Sequence, residues 1–348
     1  MTPLIKPPKL NPGDKVATIT LSWGGAGTYL WRYEAGVSQL KELLNVDVAP
    51  TRHSMRDADW IKNNPQARAD DLMEAFSDPE IKAIISNIGG EDSIRILPHL
   101  DLETISQNPK IFMGYSDSTI THFACLNAGL SSFYGPAIMA GFAENGGLFP
   151  YTSNSVKKTL CQTDELGEFA PSQSQWTYKQ NPWEDPENQN KPREMNDAIA
   201  PNFLQGTKAV QGRLIGGCLE VLEFLKGTNL WPSQEEWDDT ILFIETSEEG
   251  PDPDLVKRWL RNYAAQGVFD RTRGILFGRP GGVEADQFDA YDDALRQVVS
   301  DEYGFIDMPI VTKLDFGHTD PMGVMSFGIL TEIDPINKKI KFLESAVV

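Results

Sequence analysis

Short apolar runs alternate with amphipathic segments over residues 15–139. The apolar runs are VATITLS, VDVAP, IKAIISNIG, KIFMGYS and SSFYGPAIM, each of a length that suits one strand. Between them lie YEAGVSQLKELLN, ARADDLMEAFSD, SIRILPHL and STITHFACLNAGL, whose apolar positions have helical spacing. Alternating strands and helices predict an α/β fold, in which a parallel sheet carries helices on its faces. Ligands of such sheets bind outside the carboxyl ends of the strands.

The pattern stops over residues 144–206, which are polar, rich in proline and short of apolar periodicity. We interpret this stretch as a connection with a long loop, and its tryptophans Trp176 and Trp183 favour a functional loop over disorder. Strands and helices then return in mixed order, and the chain ends in a hairpin-like pattern. We therefore predict an α/β domain over residues 1–150, a connection with a substrate loop over 151–208, and a smaller α+β or β-barrel-like domain over 209–348.

The charge balance restricts the partners. Against 31 Lys and Arg stand 50 Asp and Glu, so the net charge is −19, and the phosphates of nucleic acid or of an anionic membrane would be repelled. The N-terminus has no apolar signal core, and nowhere do about 18 apolar residues run together. We expect a cytoplasmic protein that binds neither nucleic acid nor membranes.

The sequence contains no motif that predicts a bound cofactor or metal. GGAG follows the first strand but lacks the spacing of a dinucleotide fingerprint, and no Walker lysine follows it. The three cysteines are far apart, and no clustered His or Cys spacing is present, so neither a disulfide framework nor a metal is expected. We predict a site that works without cofactor or metal.

Ser116 stands on the sharpest turn of the pattern, between the strand IFMG and the helix that follows. A serine on such a turn exposes its hydroxyl beside a helix N-terminus, where a developing anion is favoured. This geometry suits a nucleophilic serine, although a serine before a helix is also a common N-cap residue.

A serine nucleophile needs a base and a group that orients the base. His318 follows a strand at a turn, whereas His122 lies too far along its helix to face Ser116. Glu245 ends the apolar strand ILFIE, where an unpaired carboxylate would be costly to bury. The alternatives are a turn histidine and a solvated strand end. Backbone N–H groups of Asp117 and of the Gly89-Gly90 pair could stabilise an oxyanion.

The assembled segments resemble the LD-carboxypeptidase family of serine peptidases, and more closely its branch of microcin C immunity peptidases. The matching segments are SNIGGEDSIRILPHLD, GYSDSTITHF, FYGPAIM, GRLIGGCLEVL, LFIETSEE and LDFGHTDPMGVMSFG. The resemblance implies a flavodoxin-like first domain, a homodimer, and a triad on Ser116, Glu245 and His318. It also implies oxyanion donors at Asp117 and at Gly89 or Gly90.

The family resemblance implies two substrate classes. One is a peptidyl or aminoacyl group joined to a modified adenylate, whose cleavage would detoxify it; the other is a muropeptide that loses its terminal D-alanine. Trp183 is the candidate for stacking on a purine, or else a residue that packs the loop on the body. Cys218 stands where we expect asparagine, and its apolar neighbours in sequence favour a buried structural thiol. A non-catalytic protein that binds a small molecule in the same cleft is the alternative of another class.

Overall fold

The computed structural model describes residues 3–348, which contain a six-stranded and an eight-stranded sheet. The first sheet has the order β12-β5-β4-β3-β1-β2, and β12 alone runs antiparallel to its neighbour. Its strands are β1 (Lys15–Ile19), β2 (Asp47–Pro50), β3 (Ile81–Ser86), β4 (Ile111–Gly114), β5 (Phe133–Tyr134) and β12 (Met325–Ser326). The parallel sheet predicted for the first half is confirmed, and a strand from the end of the chain completes it.

The second sheet has the order β6-β14-β13-β8-β9-β10-β11-β7, in which β8 to β11 run parallel. Its strands are β6 (Gly167–Glu168), β7 (Asn202–Gln205), β8 (Val210–Cys218), β9 (Thr240–Glu245), β10 (Thr272–Gly278), β11 (Ile310–Leu314), β13 (Leu330–Asp334) and β14 (Lys339–Phe342). The last two pair antiparallel, which confirms the hairpin-like end. The mixture of strands and helices predicted for the second half is thus present, whereas the boundaries at residues 150 and 208 stay a prediction.

Helices cover both sheets. They are α1 (Gly25–Thr28), α2 (Leu30–Leu44), α3 (Ala58–Asn63), α4 (Pro65–Ser77), α5 (Leu102–Gln107), α6 (Thr119–Asn127), α7 (Pro150–Cys161), α8 (Leu219–Leu225), α9 (Pro253–Ala265), α10 (Val268–Arg271) and α11 (Phe288–Leu295). Segments of 3₁₀ helix span Ser93–His99, Ser116–Ser118, Pro186–Asn190, Gln234–Trp237 and Ala285–Gln287, and a π-helical segment spans Arg296–Glu302. Within residues 3–348 we find no helix that combines the length and the apolar character needed to span a bilayer.

The sequence explains these elements locally. Helix α9 begins where the Asp252 side chain accepts a hydrogen bond from the N–H of Asp254, and it buries Val256, Leu260 and Tyr263, which lie on one helical face. The strands β4 and β9 are buried at every residue, as expected for parallel strands covered on both faces. Helix α7 lies inside the predicted connection and was missed, because Val156 and Leu160 are among its few buried apolar residues.

Candidate active site

Ser116 lies two residues after the end of β4 and has a φ angle of 60°, a left-handed conformation that is uncommon for a residue other than glycine. The cap position of the short helix is held by Tyr115, so Ser116 is the first residue of that helix and not its cap. Its N–H donates to the Tyr134 hydroxyl at 3.0 Å, and its carbonyl accepts from Thr119 Oγ1 at 2.7 Å. These bonds hold the turn and leave the Ser116 hydroxyl facing a cavity.

His318 and Glu245 form a buried pair at the same cavity. Glu245 ends β9 and is fully buried, and its Oε2 lies 2.7 Å from His318 Nδ1. The backbone N–H of His318 donates to the same oxygen at 3.2 Å. Gly317, at a φ of 91°, allows this approach, because a Cβ at that position would overlap the Glu245 carboxylate. The carboxylate thereby fixes both the position and the orientation of the imidazole.

Tyr134 links the carboxylate to the serine. Its hydroxyl donates to Glu245 Oε1 and accepts from the Ser116 N–H. Burial and the neighbouring Glu245 charge raise the pKa of Tyr134 well above its ordinary value, so the phenol stays protonated and continues to donate. A continuous hydrogen-bonded path therefore runs from the Ser116 backbone through Tyr134 and Glu245 to His318.

The charges around His318 favour its imidazolium. Burial opposes the charged form, but the carboxylates of Glu245, Glu248 and Glu220 outweigh it and raise the pKa of His318 to about 9. Nε2, on the opposite side of the ring from Glu245, is buried and has no hydrogen-bond partner among residues 3–348. The ring is thus held on one side by Glu245, while the nitrogen on the other side makes no hydrogen bond.

The residues predicted for an oxyanion site lie beside Ser116. A Cβ added to Gly89 would be 2.9 Å from Ser116 Oγ and 3.3 Å from the nitrogen of Asp117. Asp117 is the second residue of its short helix, and the first N–H groups of a helix have no partner within it. Gly90 has a φ of 137°, which only glycine adopts readily. The Asp117 carboxylate itself is buried and accepts a hydrogen bond from the N–H of Ser93 at 2.9 Å.

Cys218 is buried, as expected, but its surroundings are not apolar. Its Sγ donates to Glu220 Oε2 at 3.4 Å, and its sulfur, a Glu245 oxygen and a His318 nitrogen lie within 4.8 Å of one another. Distance along the sequence was misleading here, because β8 and β9 are neighbours in the second sheet. Burial raises the pKa of the thiol well above its ordinary value, which keeps it protonated and weakly nucleophilic. The three groups offer donor types that suit a soft divalent metal, although an ion there would displace the His318–Glu245 hydrogen bond.

A cavity of about 690 Å³ is lined by Ser116 and His318 and also by Trp23 and Trp183. The two indole rings stack with centroids 6.3 Å apart, and the Arg32 guanidinium lies 4.7 Å from the centroid of the Trp183 ring. Trp31 Nε1 donates to the Trp183 carbonyl at 3.1 Å. Trp183 therefore both faces the cavity and packs its loop on the body of the protein.

The loop that carries Trp183 is anchored by Arg193. This buried side chain binds Glu144 through Nε at 2.9 Å and Asp320 through Nη2 at 2.7 Å. The backbone of Thr177 also exchanges two hydrogen bonds, each 2.8 Å, with that of Asp320. Since Asp320 lies two residues after His318, the loop is attached next to the His318–Glu245 pair.

The structure also shows the place of His122 and identifies two site residues that were not predicted. His122 is not among the described residues that line the cavity. It is buried between the Gly114 carbonyl at 2.9 Å and Ser132 Oγ at 2.8 Å, and burial lowers its pKa to about 4. Sequence reasoning missed Tyr134, although the segment FYGPAIM that contains it was noticed. It also missed Glu248, because an exposed glutamate next to Glu249 is typical of a solvated surface.

The first half of the chain provides a serine at this cavity, and the second half provides a histidine and a glutamate. This arrangement is typical of a serine hydrolase. The chain belongs to the LD-carboxypeptidase family of serine peptidases: residues 16–135 match the family's N-terminal domain and residues 211–333 its C-terminal domain. It is 31% identical over 281 residues to the microcin C7 self-immunity protein MccF of Escherichia coli, covering 80% of this chain and 78% of that protein.

Other relatives include a Bacillus subtilis protein named "Probable murein peptide carboxypeptidase", 26% identical over 337 residues, with 96% of this chain and 92% of that protein covered. An MccF-like protein from Streptococcus pneumoniae in complex with AMP matches with a TM-score of 0.84 and 29% identity, over 95% of this chain and 98% of that chain. MccF in complex with aspartyl sulfamoyl adenosine matches with a TM-score of 0.83 and 26% identity, over 99% of this chain and 100% of that chain.

Proposed function

We propose that the protein is a serine hydrolase that cleaves an aminoacyl or peptidyl group from a nucleotide-like leaving group, as a detoxifying or self-immunity enzyme. The observation that carries this proposal is the cavity itself, which has Ser116 and His318 on its wall together with the stacked pair Trp23 and Trp183. An acyl group at the serine and a purine at the indoles would occupy one continuous space. The relatives solved with AMP and with aspartyl sulfamoyl adenosine support the same substrate class.

In the proposed mechanism His318 Nε2 accepts the proton of Ser116 as Oγ attacks the scissile carbonyl. Glu245 stabilises the imidazolium that forms, since its carboxylate already binds Nδ1 at 2.7 Å. The tetrahedral oxyanion is bound by the N–H groups of Asp117 and of Gly89 or Gly90. His318 then protonates the leaving group as its bond to the carbonyl carbon breaks, which leaves the acyl group on Ser116 Oγ.

Water completes the cycle by the same groups. His318 Nε2 removes a proton from the attacking water, the ester bond to Ser116 breaks, and the proton returns to Oγ. The products are a free carboxylate and the nucleotide-like amide or amine. No step needs a metal or a redox cofactor, and loss of one oxyanion donor typically costs about 10²–10³ in turnover.

A second candidate is the release of terminal D-alanine from a muropeptide, which the murein peptide relative supports. A third, of another class, is binding without catalysis. The test is a paired hydrolysis assay by mass spectrometry with aspartyl sulfamoyl adenosine and an anhydro-muropeptide tetrapeptide. We expect cleavage of the adenosine compound. Release of D-alanine alone would favour the second candidate, and cleavage of neither compound would contradict both hydrolase proposals.

The family resemblance also supports a homodimer, which we propose as the working assembly. Sedimentation velocity of the purified protein tests this point, and a monomer across the assay concentrations would contradict it.

A further inference from the structure

Glu248 lies on the turn after β9 and lines the same cavity as Ser116 and His318. Its Oε2 is 3.1 Å from His318 Nε2, the nitrogen that the proposed mechanism needs as a base. The contact lacks the direction of a hydrogen bond, since Nε2 has no hydrogen-bond partner within residues 3–348. The Glu248 side chain is 71% exposed, so it is free to move toward a ligand. An exposed carboxylate therefore lies against the base in the free protein.

The place of this carboxylate limits which part of a substrate it can reach. A base and the serine Oγ that it deprotonates lie about 2.6–3.2 Å apart, so a carboxylate next to Nε2 is also next to the scissile carbonyl. In an aminoacyl group the α-nitrogen is only about 2.5 Å from its carbonyl carbon, because one Cα separates them. The α-nitrogen is thus the polar group of the acyl part that Glu248 meets first.

The charge of the cavity wall agrees with a cationic group at this point. Asp59 and Glu91 also line the cavity, and Lys62 is the one lysine or arginine among its described lining residues. A wall with more carboxylates than cations favours an ammonium group.

We propose that Glu248 binds the α-ammonium group of the substrate and, by doing so, releases His318 Nε2 for the deprotonation of Ser116. This inference rests on the proposed hydrolase function and narrows its substrate class. Before binding, Glu248 is one of the carboxylates that stabilise the imidazolium, whose pKa is about 9. When the ammonium group binds Glu248, Glu248 no longer stabilises the His318 imidazolium, and the neutral imidazole is favoured.

The consequence is a requirement for a free α-amine. An aminoacyl nucleotide has one, whereas a peptidyl nucleotide has an amide nitrogen at that position. A muropeptide tetrapeptide likewise has an acylated α-nitrogen on the residue before its terminal D-alanine. Glu248 would therefore select aminoacyl nucleotides over both of the other substrates.

The experiment compares aspartyl sulfamoyl adenosine with its Nα-acetyl derivative in the wild type, in Glu248→Gln and in Glu249→Gln. Glu249 is the matched control, since it is the next residue, is exposed, and is not among the lining residues of the cavity. We expect the wild type and Glu249→Gln to prefer the free amine by about ten- to hundredfold in kcat/KM, the range of a charge-assisted hydrogen bond. In Glu248→Gln the two rates should agree within about threefold.

Three results would overturn the proposal. If Glu248→Gln keeps the wild-type preference, or if the wild type cleaves both compounds equally, the inference fails while the hydrolase function stands. If the wild type cleaves neither compound, the function fails and the inference with it. Thermal unfolding of each variant establishes that a change in preference does not come from lost folding.

Discussion

The hydrogen-bonded group around Glu245 and the loop around Trp183 face one cavity but are built differently. Glu245 and His318 are 0% and 5% exposed, and several hydrogen bonds and glycine contacts determine their positions. Trp183 is half-buried and is held by ring contacts and by the ion pairs of Arg193. The difference suggests that the first region determines the chemistry and the second the leaving group, so changes in the first should lower kcat and changes in the second should raise KM.

The largest expected effect comes from the first region. Ser116→Ala should lower kcat with aspartyl sulfamoyl adenosine by about 10⁴-fold or more, because the acyl-enzyme can no longer form. The melting temperature should stay close to that of the wild type, since the hydroxyl faces the cavity. Stopped or quenched assays measure the rate, and a kcat within tenfold of the wild type would contradict the serine mechanism.

The pH dependence should reflect His318. The base must be neutral, and the pKa of the imidazole in the free enzyme is about 9, so kcat/KM for the Nα-acetyl compound, which has no titrating amine, should rise by about 50-fold between pH 7 and pH 9. Stability should change in the opposite sense: the raised pKa means that the pair with Glu245 stabilises the fold below the unfolded pKa and is lost as the pH rises through about 9. A kcat/KM profile that is flat from pH 6 to pH 9 would rule out this assignment.

Tyr134→Phe should have an intermediate effect. It removes the donor to Glu245 Oε1 and the acceptor of the Ser116 N–H, and a hydrogen bond to a charged group is worth about 1.5–3 kcal/mol, so kcat should fall by about 10- to 100-fold. Tyr33→Phe is the control, because Tyr33 is also buried and its hydroxyl lies 2.9 Å from Thr18 Oγ1, outside the site. Equal kcat losses in both variants would mean that Tyr134 acts only through stability.

The smallest effect is expected in the loop. Trp183→Ala should raise KM for the adenosine compound by about tenfold with kcat within about twofold, since base stacking on an aromatic ring is worth about 1–3 kcal/mol. Removal of the ring also breaks its contacts with Trp23 and Arg32. A lower melting temperature with unchanged KM would therefore assign Trp183 to packing the loop and not to the purine.

The sequence pattern anticipated the first region better than the second. Ser116 and Glu245 could be found because each interrupts or follows an apolar strand, and strand ends in a parallel sheet are where sites form. Tyr134 could not, since a tyrosine in a strand reads as core, and Glu248 could not, because an exposed glutamate beside Glu249 reads as solvated. The role of Arg193 depends on Asp320, 127 residues away, and such a contact leaves no local signal.

The most direct test of the account is labelling with a serine-directed phosphonate, followed by intact-mass and peptide mass spectrometry. We expect one adduct, on Ser116, that is absent in Ser116→Ala and formed much more slowly in His318→Ala. Absence of an adduct on the folded wild type, or an adduct that persists in Ser116→Ala, would contradict the claim that this cavity holds a serine nucleophile.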